Sequence, residues 1–194
     1  MNITKNRKKM LNNFDTTKVY EPLEAIKILK DKSYVKFNET IDISINLGID
    51  SNKTDQNIKG VVNLPKGSGK NVKVAVIAND GKHDDAKSSG ADIVGSDELI
   101  ETISNSKIEF DVLIATPDMM PKLGKVARIL GPKGLMPNPK LGTVTNEISQ
   151  SVKDAKSGQV KFKNDKSGIV HAGVGKIDFS EEDLLENIKT FYSS

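Results

Sequence analysis

The chain has 194 residues, 36% hydrophobic and only 5% aromatic, with no Trp or Cys and a formal net charge of +3. That is room for one large domain or two small ones, with cores built from Ile, Leu and Val. The absence of Cys excludes disulfides, thiolate metal sites and a cysteine nucleophile and suits a reducing cytoplasm, and the longest apolar runs, 74–78 and 112–115, are too short to span a bilayer.

Charge is segregated along the chain. Residues 1–30 carry seven Lys and Arg against three acids, 80–120 three against ten, and 121–171 ten against three. Alternating blocks of this kind suit a basic face directed at a polyanion, most commonly a phosphate backbone. They also predict that the acidic middle is drawn onto the basic face.

In chain order, Lys5, Arg7, Lys8 and Lys9 fall on a predicted basic N-terminal helix. Thr40-Ile41-Asp42-Ile43-Ser44-Ile45-Asn46-Leu47 alternates without a break and predicts a half-buried antiparallel strand. The middle changes rhythm. Runs at 72–78, 92–94 and 112–115 are mostly apolar, as in parallel strands covered on both faces. Helices are predicted over 84–89, stopping at Gly90; over 96–104, with Ser96 as N-cap; over 119–130, ending at Gly131-Pro132; and from Asn146 to near Gly158. This order describes a small doubly wound α/β unit.

Gln159-Val160-Lys161-Phe162-Lys163 alternates again, with Lys161 and Lys163 on its polar face. A turn at 164–168 and a return over 169–174 predict a hairpin. Ser180-Glu181-Glu182-Asp183 then opens a last helix as a capping box. The boundaries follow the changes of rhythm. A domain of residues 1–66 and 159–194 holds an inserted unit, 67–158. Gly67, Gly69 and Gly158 at the two crossings suit a hinge, and two ordinary tight loops are an equally good reading.

Enzyme motifs fail on inspection. Gly67-Ser68-Gly69-Lys70 resembles the end of a phosphate loop, but Leu64 stands where its first Gly belongs and Asn71 replaces the Ser or Thr. Gly173-Val174-Gly175 meets Asp178 where a dinucleotide fingerprint needs Gly. His83 and His171 have no partners at metal-ligand spacing. No cofactor, no metal and no catalytic residue is expected.

The most specific stretch is Ile129-Leu130-Gly131-Pro132-Lys133-Gly134-Leu135-Met136-Pro137-Asn138-Pro139-Lys140-Leu141-Gly142-Thr143-Val144, a loop stiffened by Pro and Gly. It closely resembles the signature loop of the large-subunit ribosomal protein L-one family, the RNA-binding protein of the ribosomal side stalk. Lys36-Phe37-Asn38-Glu39-Thr40, Leu47-Gly48-Ile49-Asp50, Asp55-Gln56-Asn57-Ile58-Lys59-Gly60 and the run from Gly158 to His171 resemble further family motifs, in family order.

The resemblance implies a mixed α/β protein of two domains: an α+β RNA-binding domain from both termini and an inserted Rossmann-like domain. It implies binding to the 23S-type rRNA of the mobile stalk, assistance in releasing deacylated tRNA from the exit site, and, in bacteria, repression of its own operon mRNA. The protein would be cytoplasmic, on the ribosome, with no membrane partner, and a monomer when free. RNA would be held by Lys5, Arg7, Lys8, Lys36, Phe37, Glu39, Thr40, Lys161, Lys163, Asp165, Lys166, Ser167, Gly168 and His171. Taken singly, Phe37 is equally a candidate core ring, and His171 has the alternative of a satisfied strand residue; the family motif favours RNA contact for both. The lysines would neutralise phosphates, Thr40 and His171 would meet a ribose 2′-OH, and backbone donors of 165–168 would meet phosphate. Family members continue into a last strand ending in Thr-Met-Gly, so one sheet edge is expected to lie unpaired after Ser194. A free RNA- or DNA-binding regulator and a nucleotide-using enzyme on the α/β unit are the other function classes.

Overall fold

The structure, a computed structural model, describes residues 15, 17–51, 53–105 and 108–194. Helix α1 (Pro22–Asp31) and strands β1 (Thr40–Asn46) and β2 (Lys59–Asn63) come first. Then follow β3 (Val74–Ile77), α2 (His83–Ser88), β4 (Ile93–Gly95), α3 (Asp97–Ser104) and β5 (Val112–Ala115). Short helices α4 (Met120–Leu123) and α5 (Ala127–Leu130) lead to α6 (Ile148–Lys156). Strands β6 (Gln159–Lys163) and β7 (Ile169–Lys176) and helix α7 (Glu181–Ser193) complete the fold. The class is mixed α/β, as the sequence predicts.

The middle of the chain forms a three-layer unit around a parallel sheet of order β4-β3-β5. Period-two alternation splits β3 between two cores. Val74 and Val76 join Ile114 under α2 and α6, while Ala75 and Ile77 join Leu113 under α3, α4 and α5. Helices on both faces explain why every residue of β3 is apolar and buried. Beyond β5, Val144 pairs with Ala115 in a parallel bridge and ties the far end of the signature loop to the sheet.

The single helix expected over 119–130 is broken. Pro117–Met119 and Gly124–Val126 are 3-10 turns flanking α4, which begins with Pro121 in its first turn. Pro cannot donate to a preceding turn and Gly124 carries no side chain to favour the helix. The apolar stripe survives nevertheless, since Met119, Leu123, Val126 and Leu130 are all buried. Gly131 is not the left-handed stop either, its φ being −58°. The reversal falls at Gly134, φ +70°, with its N–H on the Gly131 carbonyl and the Leu135 N–H on that of Leu130. Ser96 stands at the N-cap of α3, but its side chain makes no capping bond.

The terminal segments pack as two antiparallel pairs, β1–β7 and β2–β6, covered by α1 and α7. Val62, Leu64, Val170, Ala172 and Phe191 form one core; Ile26, Ile41, Val174 and Leu184 form another. The predicted hairpin of β6 and β7 is not a ladder: a single bridge, Asn164 to Val170, joins them, and each strand pairs elsewhere. Packing decides this. The Phe162 ring lies across Gly60 of β2, where a Cβ would come within 2.7 Å of it, and meets Phe191 edge-on at 5.5 Å. Neither α1 nor β2 was marked by the sequence rhythm. Ser180 caps α7, accepting from the Asp183 N–H at 3.1 Å and donating to its carboxylate at 2.6 Å.

Candidate nucleic-acid interface

The outward face of β1–β7 carries the polar half of the alternation. Thr40 stands opposite Lys176, Asp42 opposite Gly173 and Ser44 opposite His171, with a bulge between Ile41 and Asp42. Thr40 Oγ1 accepts from Lys176 Nζ at 2.8 Å. Glu39 is anchored to Ser33 Oγ at 2.6 Å, so it braces the edge of the face. Phe37 belongs to no core cluster and is 70% exposed, and Lys36 beside it is exposed too. Of the two roles open to Phe37, the core ring is thereby excluded.

His171 Nδ1 lies 2.8 Å from Ser44 Oγ, and Nε2 lies 3.6 Å from Asp165 Oδ2. Both ring nitrogens are thus oriented within an exposed polar line. Asp165 also shapes the turn. Its Oδ1 accepts from the N–H groups of Ser167 at 2.8 Å and Ile169 at 2.9 Å. The Ile169 bond first, with the other donors helping, holds its carboxyl below the usual range. The Gly168 N–H is taken by the Asp165 carbonyl. The backbone donors of Ser167 and Gly168 expected to meet phosphate are therefore consumed inside the turn. Gly168 itself is required by space, since at φ +75° a Cβ would sit 2.8 Å from the Ile49 carbonyl.

Strand β6 divides its lysines by environment. Val160 and Phe162 face the core, so Gln159, Lys161 and Lys163 take the other face, and the Pro139–Leu141 turn and α6 of the inserted unit pack beside β2 and β6. Lys163 is exposed, whereas Lys161 is half-buried and desolvation pushes its amine down. A cavity of about 680 Å³ opens here, lined by Ser51, Asn57, Ile58, Lys59, Lys140, Lys163, Asn164, Asp165 and Lys166. Basic groups of both units meet across it. Two carboxylates of the acidic block are paired locally, Asp92 with Lys156 and Asp97 with Lys122.

The glycines at the crossings touch one another. Gly158, φ +106°, leaves only 2.3 Å between a would-be Cβ and the Gly67 Cα. Gly69, φ +66°, lies against Lys176 and the Phe179 ring. The first crossing is fastened by Asn187 of α7, which is 0% exposed. Its Nδ2 donates to the carbonyls of Gly67 (3.0 Å) and Val174 (2.8 Å), and its Oδ1 accepts from the Lys66 N–H at 3.1 Å. Lys66 Nζ adds ion pairs to Asp183 and Glu186. Asn187 escaped the sequence reading, although a polar residue between Leu184 and Phe191 on the apolar stripe of α7 was a usable signal. Asn164 was passed over likewise. It is 5% exposed, accepts from the Ile58 N–H and donates to Asn57, so it joins the start of β2 to the turn.

In the signature loop, Gly131, Pro132, Lys133 and Gly134 form an exposed tip, while Leu135, Met136 and Pro137 settle on or toward the inserted core. Asn138 organises the rest. It donates its N–H to Thr143 Oγ1 at 2.8 Å and accepts from the Lys140 N–H at 2.9 Å, with Pro139 between. Gly142, φ +67°, reverses the chain. This knot aims Lys140 at the cavity and leaves Lys133 at the opposite, solvent-facing tip. Lys5, Arg7 and Lys8 lie outside the described residues. Among the described residues there is no group of His, Cys, Asp or Glu fit to hold a metal, and no helix is long and apolar enough to cross a membrane.

Comparison with known proteins gives the interface its context. The model of the Ribosomal protein L1p/L10e family matches residues 29–194. The chain is 57% identical over 173 residues to the Large ribosomal subunit protein uL1 of Rickettsia peacockii (strain Rustic), covering 89% of this chain and 72% of that protein. The uL1 proteins of Rickettsia conorii and Rickettsia africae match at the same identity and coverage. These relatives are named as ribosomal proteins, not as enzymes. With a match that takes in both crossings, the whole inserted unit and α7, the chain belongs to the ribosomal protein L1p/L10e family.

Proposed function

We propose that the chain is a large-subunit ribosomal protein that binds the rRNA of the mobile side stalk through the outward face of β1–β7 and the neighbouring turn. The observation that carries this is Phe37. A ring 70% exposed, flanked by Lys36 and leading into β1 with Thr40 and Ser44, the latter beside the oriented His171 of β7, is a stacking surface next to groups suited to a ribose 2′-OH. Lys163 and Lys166 supply charge at the turn. Lys161 reaches RNA only if the inserted unit lifts away. The same face would take the chain's own operon mRNA, and the assembled protein would contact exit-site tRNA and reside on cytoplasmic ribosomes.

The division into residues 1–66 and 159–194 around an inserted 67–158 supports that motion, with bending at Gly67, Gly69 and Gly158, where only two strands cross. The closed arrangement covers Lys161, so RNA would favour an opened form by binding it more tightly. Titration with the stalk rRNA fragment, its DNA analogue and an unrelated duplex RNA tests the proposal. Tightest binding to the stalk RNA is expected, with log K falling by about 0.9 per phosphate contact for each decade of salt on duplex. Equal affinity for all three overturns it.

A further inference from the structure

The cavity between the units has more positive charge than its own walls can satisfy. Lys59 and Lys163 stand opposite each other on β2 and β6, Lys166 sits on the following turn, and Lys140 arrives from the signature loop. None of these four ammonium groups has an ion-pair or hydrogen-bond partner among the described residues. The one carboxylate in the lining, Asp165, is already engaged with the Ser167 and Ile169 N–H groups and with His171. Like charges brought together in a partly enclosed space repel, and a counter-charge relieves the field they create.

We propose that this cleft binds a small polyphosphate anion, the triphosphate chain of a nucleotide or an inorganic polyphosphate, which bridges Lys140 of the inserted unit to Lys59, Lys163 and Lys166 and fastens the two units together. Three features select this occupant. The volume of about 680 Å³ lies in the range of roughly 300–1,000 Å³ typical of small-ligand sites. The donors are compact ammonium groups, which bind phosphate as point charges. They come from both units, so an anion that satisfies all four must be multivalent. A monovalent ion could neutralise one side and leave the repulsion across the cleft. By binding the closed form, the anion would oppose any partner that needs Lys161 uncovered.

The titrations use the free chain without RNA, so their outcome is independent of the rRNA proposal. Calorimetric titration with tripolyphosphate and with ATP, each at constant ionic strength, should give one saturable site. Lys140→Gln and Lys59→Gln should each weaken it by about tenfold, the loss of one charge-assisted contact. Lys125→Gln, on another face of the inserted unit, should not. Dye labels in the two units should hold a narrower distance distribution with tripolyphosphate than with chloride. Equal tripolyphosphate and ATP affinity assigns the site to the phosphate chain, and tighter ATP extends it to the nucleoside; either supports the proposal. Non-saturable binding, or equal weakening by Lys125→Gln, overturns it. So does failure of both anions to bind; in a separate labelling experiment, protection of Lys140 from an amine-reactive label by stalk rRNA would then give the cleft to nucleic acid.

Discussion

The inserted and terminal units bury their strands by opposite strategies. In the inserted unit β3 is 0% exposed from Val74 to Ile77, helices cover both faces, and no polar side chain interrupts the strand. In the terminal unit β1 and β7 each turn one face to the core and keep the other for Thr40, Ser44 and His171. One unit spends its sheet on stability and the other divides it between packing and an exposed polar surface. Substitutions in the two should therefore fail differently.

The sharpest contrast comes from Leu113→Ala on β5. Leu113 is 1% exposed within the inserted core, so a loss of about 2–5 kcal/mol is expected in denaturant unfolding. RNA affinity of the fraction still folded should be unchanged, because the proposed interface belongs to the other unit. A parallel loss of affinity in the folded fraction would show that the units are not separable in this way.

Gly158→Ala attacks the crossing that joins them. The would-be Cβ at 2.3 Å from Gly67 must displace backbone, and φ +106° adds strain of about 1–3 kcal/mol by itself. Thermal melting should fall, and a label pair across the units should report an altered distance. An unchanged distance and melting temperature would remove Gly158 from any hinge.

Asn187→Ala should cost about 1–3 kcal/mol, since the carbonyls of Gly67 and Val174 and the Lys66 N–H lose a buried partner. Unlike Gly158→Ala it acts from inside the terminal unit. Amide exchange should therefore quicken first at Lys66 and Gly67, and uniform exchange along the chain would refute the local clamp.

Phe37→Ala reverses the pattern of Leu113→Ala. An exposed ring outside every core should change stability by no more than about 0.5 kcal/mol. If it stacks on RNA, affinity should drop by about 1–3 kcal/mol. A large fall in melting temperature would contradict its exposed position.

The smallest effects follow from titration. Asp92 is held below the usual carboxylate value chiefly by the Val74 N–H, Asp165 by the Ile169 N–H and Asp183 by the Ser180 hydroxyl with Lys66 behind it. A carboxylate lowered on folding contributes stability that is complete above its unfolded pKa and is lost as pH falls through the folded one. Melting temperature should hold from neutrality to about pH 5 and decline below about pH 4, less steeply in Asp165→Asn. Lys66 is raised by Asp183 and Glu186, so its contribution is complete below its ordinary value and fades as pH rises through the raised one. Half-buried Lys161 has the opposite sign: it disfavours folding while charged, and that cost lifts as alkali discharges it.

Much of the fold was legible because burial leaves a period in the sequence. The alternation over 40–47 and the apolar runs at 72–78 and 112–115 marked strands where β1, β3 and β5 stand. Of the candidate site, Phe37, Thr40 and His171 came from motif and Lys163 also from strand alternation, and the structure shows Phe37 exposed and His171 oriented. What stayed hidden depends on residues far apart in sequence. Local pattern could not choose between β2 and β7 as the partner of β6; the Phe162 ring over Gly60 and against Phe191 did. Nor could it reveal that Asn187 fastens the crossing at Gly67, or that Lys140 faces Lys59 across a cleft. Sequence alone carried the main strands of the parallel sheet, β1 and their buried faces, because hydrophobic period is a local property. Strand partners, the meeting of the glycines and the convergence of four lysines came from packing, because each depends on contacts that form once distant segments are brought together.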